Sequence, residues 1–426
     1  MLENSLAFAQ KLDAADPLRH MREQFHFPKA ADGQDEIYLV GNSLGLQPKR
    51  TETYLAEFLR DWRELGVRGH FEPKHAWLPY HEFLTDASAE LVGAKPVEVV
   101  CMNSLTVNLH LLMASFYRPT STRFKILIED HAFPSDHYAV ESQIRFHGFD
   151  PAAALIVVKP REGEHCIRHE DLVATIEREG ASLALIMLPG VQYYSGEVFD
   201  MQGITEAGHK VGAHVGFDLA HAAGNIVMHL HDWHVDFAAW CSYKYLNSGA
   251  GSVAGAFVHE RHVARTDIPR LAGWWGHDKK TRFQMGPHFQ PIPSAESWQC
   301  SNPPILSLAA VRASLDTFTE AGGIHPLREK SLKLTGFLRF LLESEFKGDI
   351  DIITPFEPRR HGAQLSLNID LHGMKAKDVQ KKLETQGVAC DFREPNVMRV
   401  APTPLYNRFE DCYRFVQMLK ATVPAS

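Results

Sequence analysis

No stretch of this sequence is apolar over the roughly 20 residues a membrane-crossing helix needs, so a membrane-embedded protein is not expected. Positive charge is short as well. Lys and Arg number 44 against 52 Asp and Glu, the formal net charge is −8, and the basic residues are scattered, which argues against a nucleic-acid partner. Cysteine is scarce and dispersed: residues 101, 166, 241, 300, 390 and 412 form no CxxC pair, and several fall in apolar runs. They read as reduced core residues of a cytoplasmic protein. Internal repeats and low-complexity tracts are missing. The opening "MLENSLAFAQKLDAADPLRH" has early acids and no long apolar core, unlike a signal or transit peptide.

What is there suits a soluble globular chain, with 45% hydrophobic and 23% charged residues. A length of 426 residues allows one large core and a smaller satellite. From about residue 97, short β-rich runs alternate with helical patterns such as "LTVNLHLLMASFY" and "SDHYAVESQIRFH". The runs are 97–102, 125–130, 154–159, 183–189, 214–218 and 236–241, and the spacing is that of βαβ units. "SVAGAFVH" at 252–259 follows after a tight turn and should run antiparallel. The predicted fold is α/β, with a mostly parallel seven-stranded sheet covered on both faces. Residues 51–304 are assigned to this large domain. A helix from near Leu306 to about Glu345, interrupted at "AGGIHP", opens a smaller α+β domain over 305–426. The first fifty residues are expected to join that unit or cover the cleft.

One lysine stands out. In "VDFAAWCSYKYLNSGAG", a strand apolar on both faces delivers Lys244 into a glycine-rich turn. An ammonium with an ordinary pKa of about 10.4 is expensive to desolvate, and the bland explanation is that it snorkels to water. In an open α/β sheet, ligands gather beyond the carboxyl ends of the parallel strands. "FDLAH" ends the strand at 214–218 with Asp218, an acid that needs a positive partner, and places His221 near the same opening. "NSLTVN" follows the first strand and offers Thr106 to a phosphate; "HAFPSD" follows the second, with Phe133 to stack on a flat ring and Ser135 to cap the next helix. Taken singly, Thr106 and Ser135 read as helix caps. Taken together, the set asks for pyridoxal 5'-phosphate, with Lys244 joined to its aldehyde and Asp218 paired with its ring nitrogen.

Three motifs point elsewhere. "GNSLG" at 41–45 has the G-x-S-x-G form of a hydrolase elbow but precedes the sheet and lacks partners in elbow order. "SGAGSVAG" contains G-x-G but follows the lysine and does not link a first strand to a helix. His229, His231 and His234 lie close together in "MHLHDWHVD", yet the spacing is not that of a zinc motif, and the stretch reads as a solvated connection with no metal.

The blocks "GNSLGLQP", "NSLTVNLH", "DHAFPSD", "LPGVQYYSGEVFD", "VGFDLAHAAGN", "WCSYKYLNSGAG", "GWWGH", "SNPP" and "RVAPTPLYN" together resemble the kynureninase family, in order, from about residue 37 to 407. The resemblance implies the pyridoxal-phosphate fold of aspartate aminotransferase, called fold type I. It also implies hydrolysis of L-kynurenine, or its 3-hydroxy derivative, to the matching anthranilate and L-alanine in tryptophan catabolism. Lys244 matches the cofactor lysine and Asp218 the partner of the ring nitrogen. Leu105, Thr106, Phe133, Pro134, Ser135 and Asp136 match the cofactor loops, and His221, Tyr243, Trp274 and Asn302 match further cofactor contacts. In the family, Trp274 and Asn302 belong to a segment near the interface of a homodimer. Arg399 matches the clamp on the substrate's α-carboxylate; His70, Ser301 and Asn302 match contacts to its aryl end. Tyr243 reads either as a proton relay or as a phosphate ligand. The pattern departs at Pro189, where some members have a small hydroxyl residue.

Rival functions share the lysine. A cysteine desulfurase or selenocysteine lyase needs a nucleophilic cysteine on a mobile late loop, and the late cysteines, Cys390 and Cys412, lack a glycine- and serine-rich loop around them. A transaminase and a non-catalytic cofactor-binding relative would carry the same lysine too.

Overall fold

The computed structural model describes residues 2–371 and 373–422. Its larger sheet has seven strands, in the spatial order Val99–Cys101, Gly255–Val258, Phe237–Trp240, His214–Asp218, Leu183–Pro189, Lys125–Glu129 and Leu155–Val158. All run parallel except Gly255–Val258, which is antiparallel to both neighbours. Side chains alternate between two cores. Leu127, Ile186, Val215, Phe217 and Ala238 enter one, while Ile126, Ile128, Leu185, Met187 and Phe237 enter the other. Burial on both faces is why these strands read as continuous apolar runs and not as alternating ones.

The strands stop short of some expected limits for a local reason. Glu98 leaves the first strand to accept N–H groups from Lys95 at 2.8 Å and Glu260 at 2.7 Å. Between strands, helices Leu105–Phe116, Pro134–Phe146, His169–Glu179 and Met201–Lys210 cover the sheet. Asp200 starts the last of these by accepting from the Gly203 N–H at 3.0 Å.

The expected break at "AGGIHP" separates two helices, Ile305–Glu320 and Ile324–Phe346, where Gly322 and Gly323 both take positive φ. The second helix packs with Phe409–Thr422 on an antiparallel sheet built from Ile350–Ile352, Leu365–Leu371, Val397–Val400 and Asp391–Arg393. Ala9 and Leu39 join that sheet's core, and Ile37–Tyr38 pairs in parallel with Val388–Ala389. Among the described residues, no helix is long and apolar enough to cross a membrane, and the six thiols are free.

Candidate active site

Strand register brings the acid and the lysine to one edge. Asp218 is the Cα partner of Pro189 on one side and of Ala239 on the other. Five residues after Ala239, the chain turns back at Lys244 and is pinned there. Asn247, at φ +57°, donates its N–H to the Lys244 carbonyl at 2.9 Å, and Ser242 Oγ donates to the Val253 carbonyl at 2.6 Å. Gly45 completes the clamp, its N–H reaching the Tyr243 carbonyl at 2.8 Å. A Cβ on Gly45 would sit 2.4 Å from the Lys244 carbonyl oxygen, so only glycine allows this approach. The "GNSLG" block is therefore a buttress for the lysine segment and not a nucleophile elbow.

A cavity of about 240 Å³ opens here, lined by Leu105, Thr106, Phe133, Ser135, Asp136, Asp218, His221, Tyr243 and Lys244 among others. At one end, helices Leu105–Phe116 and Pro134–Phe146 both present their N-termini, and Thr106 Oγ1 lies 2.8 Å from Ser135 Oγ. Two such N-termini with hydroxyls between them form an anion seat. The expected cap by Ser135 is corrected: Pro134 starts the helix, Phe133 occupies the cap position with no side-chain bond, and Ser135 turns to Thr106 instead. Pro134 shapes this turn without lining the cavity, and Pro189 lines it with no hydroxyl to offer.

In the same cavity, Asp218 accepts from the Ala220 N–H at 2.6 Å. Burial raises its carboxyl above the ordinary range against the pull of its hydrogen bonds and of Lys244. Burial, and then the charge of Asp218, raises Asp136 well above its ordinary value. Carboxylates so placed call for a cation on the cavity side. Lys244 Nζ lies 3.0 Å from His221 Nε2 and 5.8 Å from the centre of the Phe133 ring. His221 is held neutral, well below its usual value, by burial and then by the positive charge of Lys244, Arg399 and Arg393; its Nδ1 has no partner. A flat heterocycle with a protonated nitrogen, an aldehyde and a phosphate fits this set: a buried acid, an anion seat, a lysine and an aromatic ring line one cavity.

Other expected residues fall outside the cavity. Arg399, 1% exposed, stands behind it and donates from Nη1 to the Tyr193 carbonyl at 2.7 Å. His70 packs edge-on against Trp77, ring centres 5.2 Å apart. Ser301 and Asn302 are exposed, and Trp274, 40% exposed, donates from its indole to the Arg282 carbonyl at 3.1 Å. Within one chain, none of these five residues lines the Lys244 cavity.

Two lining residues take no role from the sequence, although Tyr193 lies within the block "LPGVQYYSGEVFD". Tyr193 faces Phe133 edge-on at 5.2 Å, and Glu129 ends the strand Lys125–Glu129, where burial pushes its carboxyl up to about 8. The rule that exposed Asp218, an acid at the carboxyl end of an apolar strand, applies equally to Glu129. The histidine cluster is only partly solvated. His229 and His234 are exposed, but His231 is partly buried and meets the buried Glu98 at 2.9 Å. The nearby His259 Nδ1 is taken by the Arg261 N–H at 3.2 Å.

The family model described as the kynureninase C-terminal domain matches residues 327–419. The chain is 56% identical over 416 residues to a protein named kynureninase from Koribacter versatilis, covering 98% of this chain and 97% of that one. It is also 56% identical to the kynureninase of Myxococcus xanthus over 420 residues, covering 99% and 98%. Among solved structures it is similar to a cysteine desulfurase from Thermococcus onnurineus at TM-score 0.73 and 16% identity, covering 91% and 94%. A C-DES mutant with glycine covalently linked to its PLP cofactor superposes at TM-score 0.76 and 15% identity, covering 93% and 98%; these two likenesses concern the fold.

Proposed function

The chain belongs to the kynureninase family, and from that premise we propose that it hydrolyses L-kynurenine to anthranilate and L-alanine with pyridoxal phosphate carried on Lys244. The observation that carries the reading is the convergence of Lys244, Asp218 and the Thr106–Ser135 anion seat on one cavity.

When bound, the cofactor supplies an electron sink for the carbon centres of the substrate. The protein's own groups do the rest. Lys244 Nζ takes the proton from the substrate's Cα, and the neutral His221 at 3.0 Å can accept a hydrogen bond from it without adding a competing charge. Asp218 holds positive charge at the ring-nitrogen end, where a buried carboxylate is most effective. Arg399 receives the α-carboxylate. A water adds to the γ-carbonyl before the Cβ–Cγ bond breaks. Burial pushes the Tyr243 hydroxyl far above its usual range, so it stays protonated and can donate a proton to Cβ, the carbon that stays behind as the methyl group of L-alanine. A hydroxyl ligand to the phosphate is its other role.

A desulfurase reaction meets a physical obstacle. Cys390 and Cys412 are buried, and burial drives both thiols up, away from the thiolate that chemistry requires. The proposed enzyme is a homodimer working in the cytoplasm. Trp274 stands on a surface with Leu271, Phe283, Met285 and Phe289 exposed around it, an apolar patch suited to a second copy. In such a dimer, Trp274 and Asn302 would reach the partner's cavity. A sedimenting monomer with full turnover would contradict that arrangement. For the reaction itself, incubation with kynurenine should release one anthranilate, followed by its fluorescence, for each L-alanine. Amino-group transfer to a keto acid without anthranilate would instead identify a transaminase.

A further inference from the structure

Arg399 is held before any substrate arrives. The strands Asp391–Arg393 and Val397–Val400 are antiparallel, and Asp391 and Arg399 are direct register partners, so their side chains leave the same face of the sheet. Arg399 Nε donates to Asp391 Oδ1 at 2.7 Å, its Nη2 donates to Oδ2, and its Nη1 donates to the Tyr193 carbonyl at 2.7 Å. A guanidinium has five N–H donors. Three are committed here, and one remains on each terminal nitrogen.

Charge is apportioned by the same carboxylate. Arg393 Nη2 lies 3.2 Å from Asp391 Oδ2, so two guanidiniums share one acid and one positive charge is left over. That charge lies beside the lysine cavity: Tyr193, which takes the Arg399 hydrogen bond through its carbonyl, packs on Phe133.

Resting on the reading of Arg399 as receiver of the α-carboxylate, we propose that Asp391 is a positioning residue for substrate recognition. It fixes the edge of the Arg399 guanidinium, so that the remaining N–H groups meet a carboxylate in one orientation, and it leaves the pair of arginines with a single unit of charge for that anion. Asparagine at this position keeps an acceptor for Nε but turns an NH₂ group toward Nη2, donor against donor. The guanidinium must then rotate away. The extra positive charge of that variant acts without direction and does not replace a held fork.

The test uses the pyridoxal-phosphate-loaded protein and two ligands with no γ-carbonyl to cleave, the product L-alanine and L-alaninamide, which carries an amide in place of the carboxylate. Calorimetry gives the ratio of their dissociation constants. Asp391→Asn should reduce the preference for the carboxylate by at least about ten-fold, the scale of one charge-assisted hydrogen bond. Asp391→Glu, which restores the charge one methylene away, should recover part of it. An unchanged ratio in Asp391→Asn overturns the proposal; if that variant does not fold, an unchanged ratio in Asp391→Ser, which also removes the carboxylate, does so. Arg399→Lys separates the two ideas. If it keeps the wild-type preference, the assignment of Arg399 itself is wrong; if it loses the preference while Asp391→Asn keeps it, only the role of Asp391 fails.

Discussion

Lys244→Ala should remove the visible absorbance of lysine-bound pyridoxal phosphate and lower kynurenine turnover by at least about 10³-fold, within the range for losing a general base. Among the described residues, the cavity lining contains no second lysine that could substitute. His221, 3.0 Å from Nζ, is a base close by, but burial, the largest cause, and then Arg399 and Arg393 still lower its pKa once Lys244 is gone, so it is a poor proton acceptor. The variant should still fold. The segment is fixed through backbone atoms, by the Gly45 N–H on the Tyr243 carbonyl and the Asn247 N–H on the Lys244 carbonyl, and these contacts do not involve the lysine side chain. An unchanged melting temperature without cofactor, together with a lost spectrum, is the expected combination. A variant that keeps the spectrum assigns the attachment to another residue.

Asp218→Asn should leave the cofactor bound yet cut turnover by roughly 10²–10³-fold, about 2.7–4 kcal/mol of barrier, as for other preorganised electrostatic groups. The substitution preserves size and the oxygen that accepts from the Ala220 N–H at 2.6 Å. What it removes is the negative charge. Binding should survive, because the hydroxyls of Thr106 and Ser135 that form the anion seat are untouched by the substitution. Near-normal kcat in Asp218→Asn would remove the ring-nitrogen partner from the mechanism.

Much of this site was legible because it sits at strand ends. The runs Leu183–Pro189 and His214–Asp218 are recognisable from apolar residues bounded by turns, and the parallel order then puts Asp218 and the Lys244 turn side by side. Contacts between distant segments were not legible. Ser135 reads as a cap from its neighbours, but Pro134 already opens the helix, and the hydroxyl finds Thr106, 29 residues away in sequence. Gly45 reads as part of a hydrolase motif because its reason for being glycine is the backbone of residue 244. Asp391 gave no signal at all, since its partner Arg399 is defined by cross-strand register in the smaller sheet. Trp274, Ser301, Asn302 and His70 took their expected roles from the family pattern alone, and in a single chain they stand apart from the cavity.

The proposed function rests on one amine, that of the partly buried Lys244, condensing with an aldehyde. Reducing the pyridoxal-phosphate-loaded protein with borohydride, then digesting it and weighing the peptides, tests this directly. The pyridoxyl mass should fall on the peptide containing Lys244, in one copy per chain. A peptide carrying Lys244 unmodified, with the label elsewhere or absent, would contradict it.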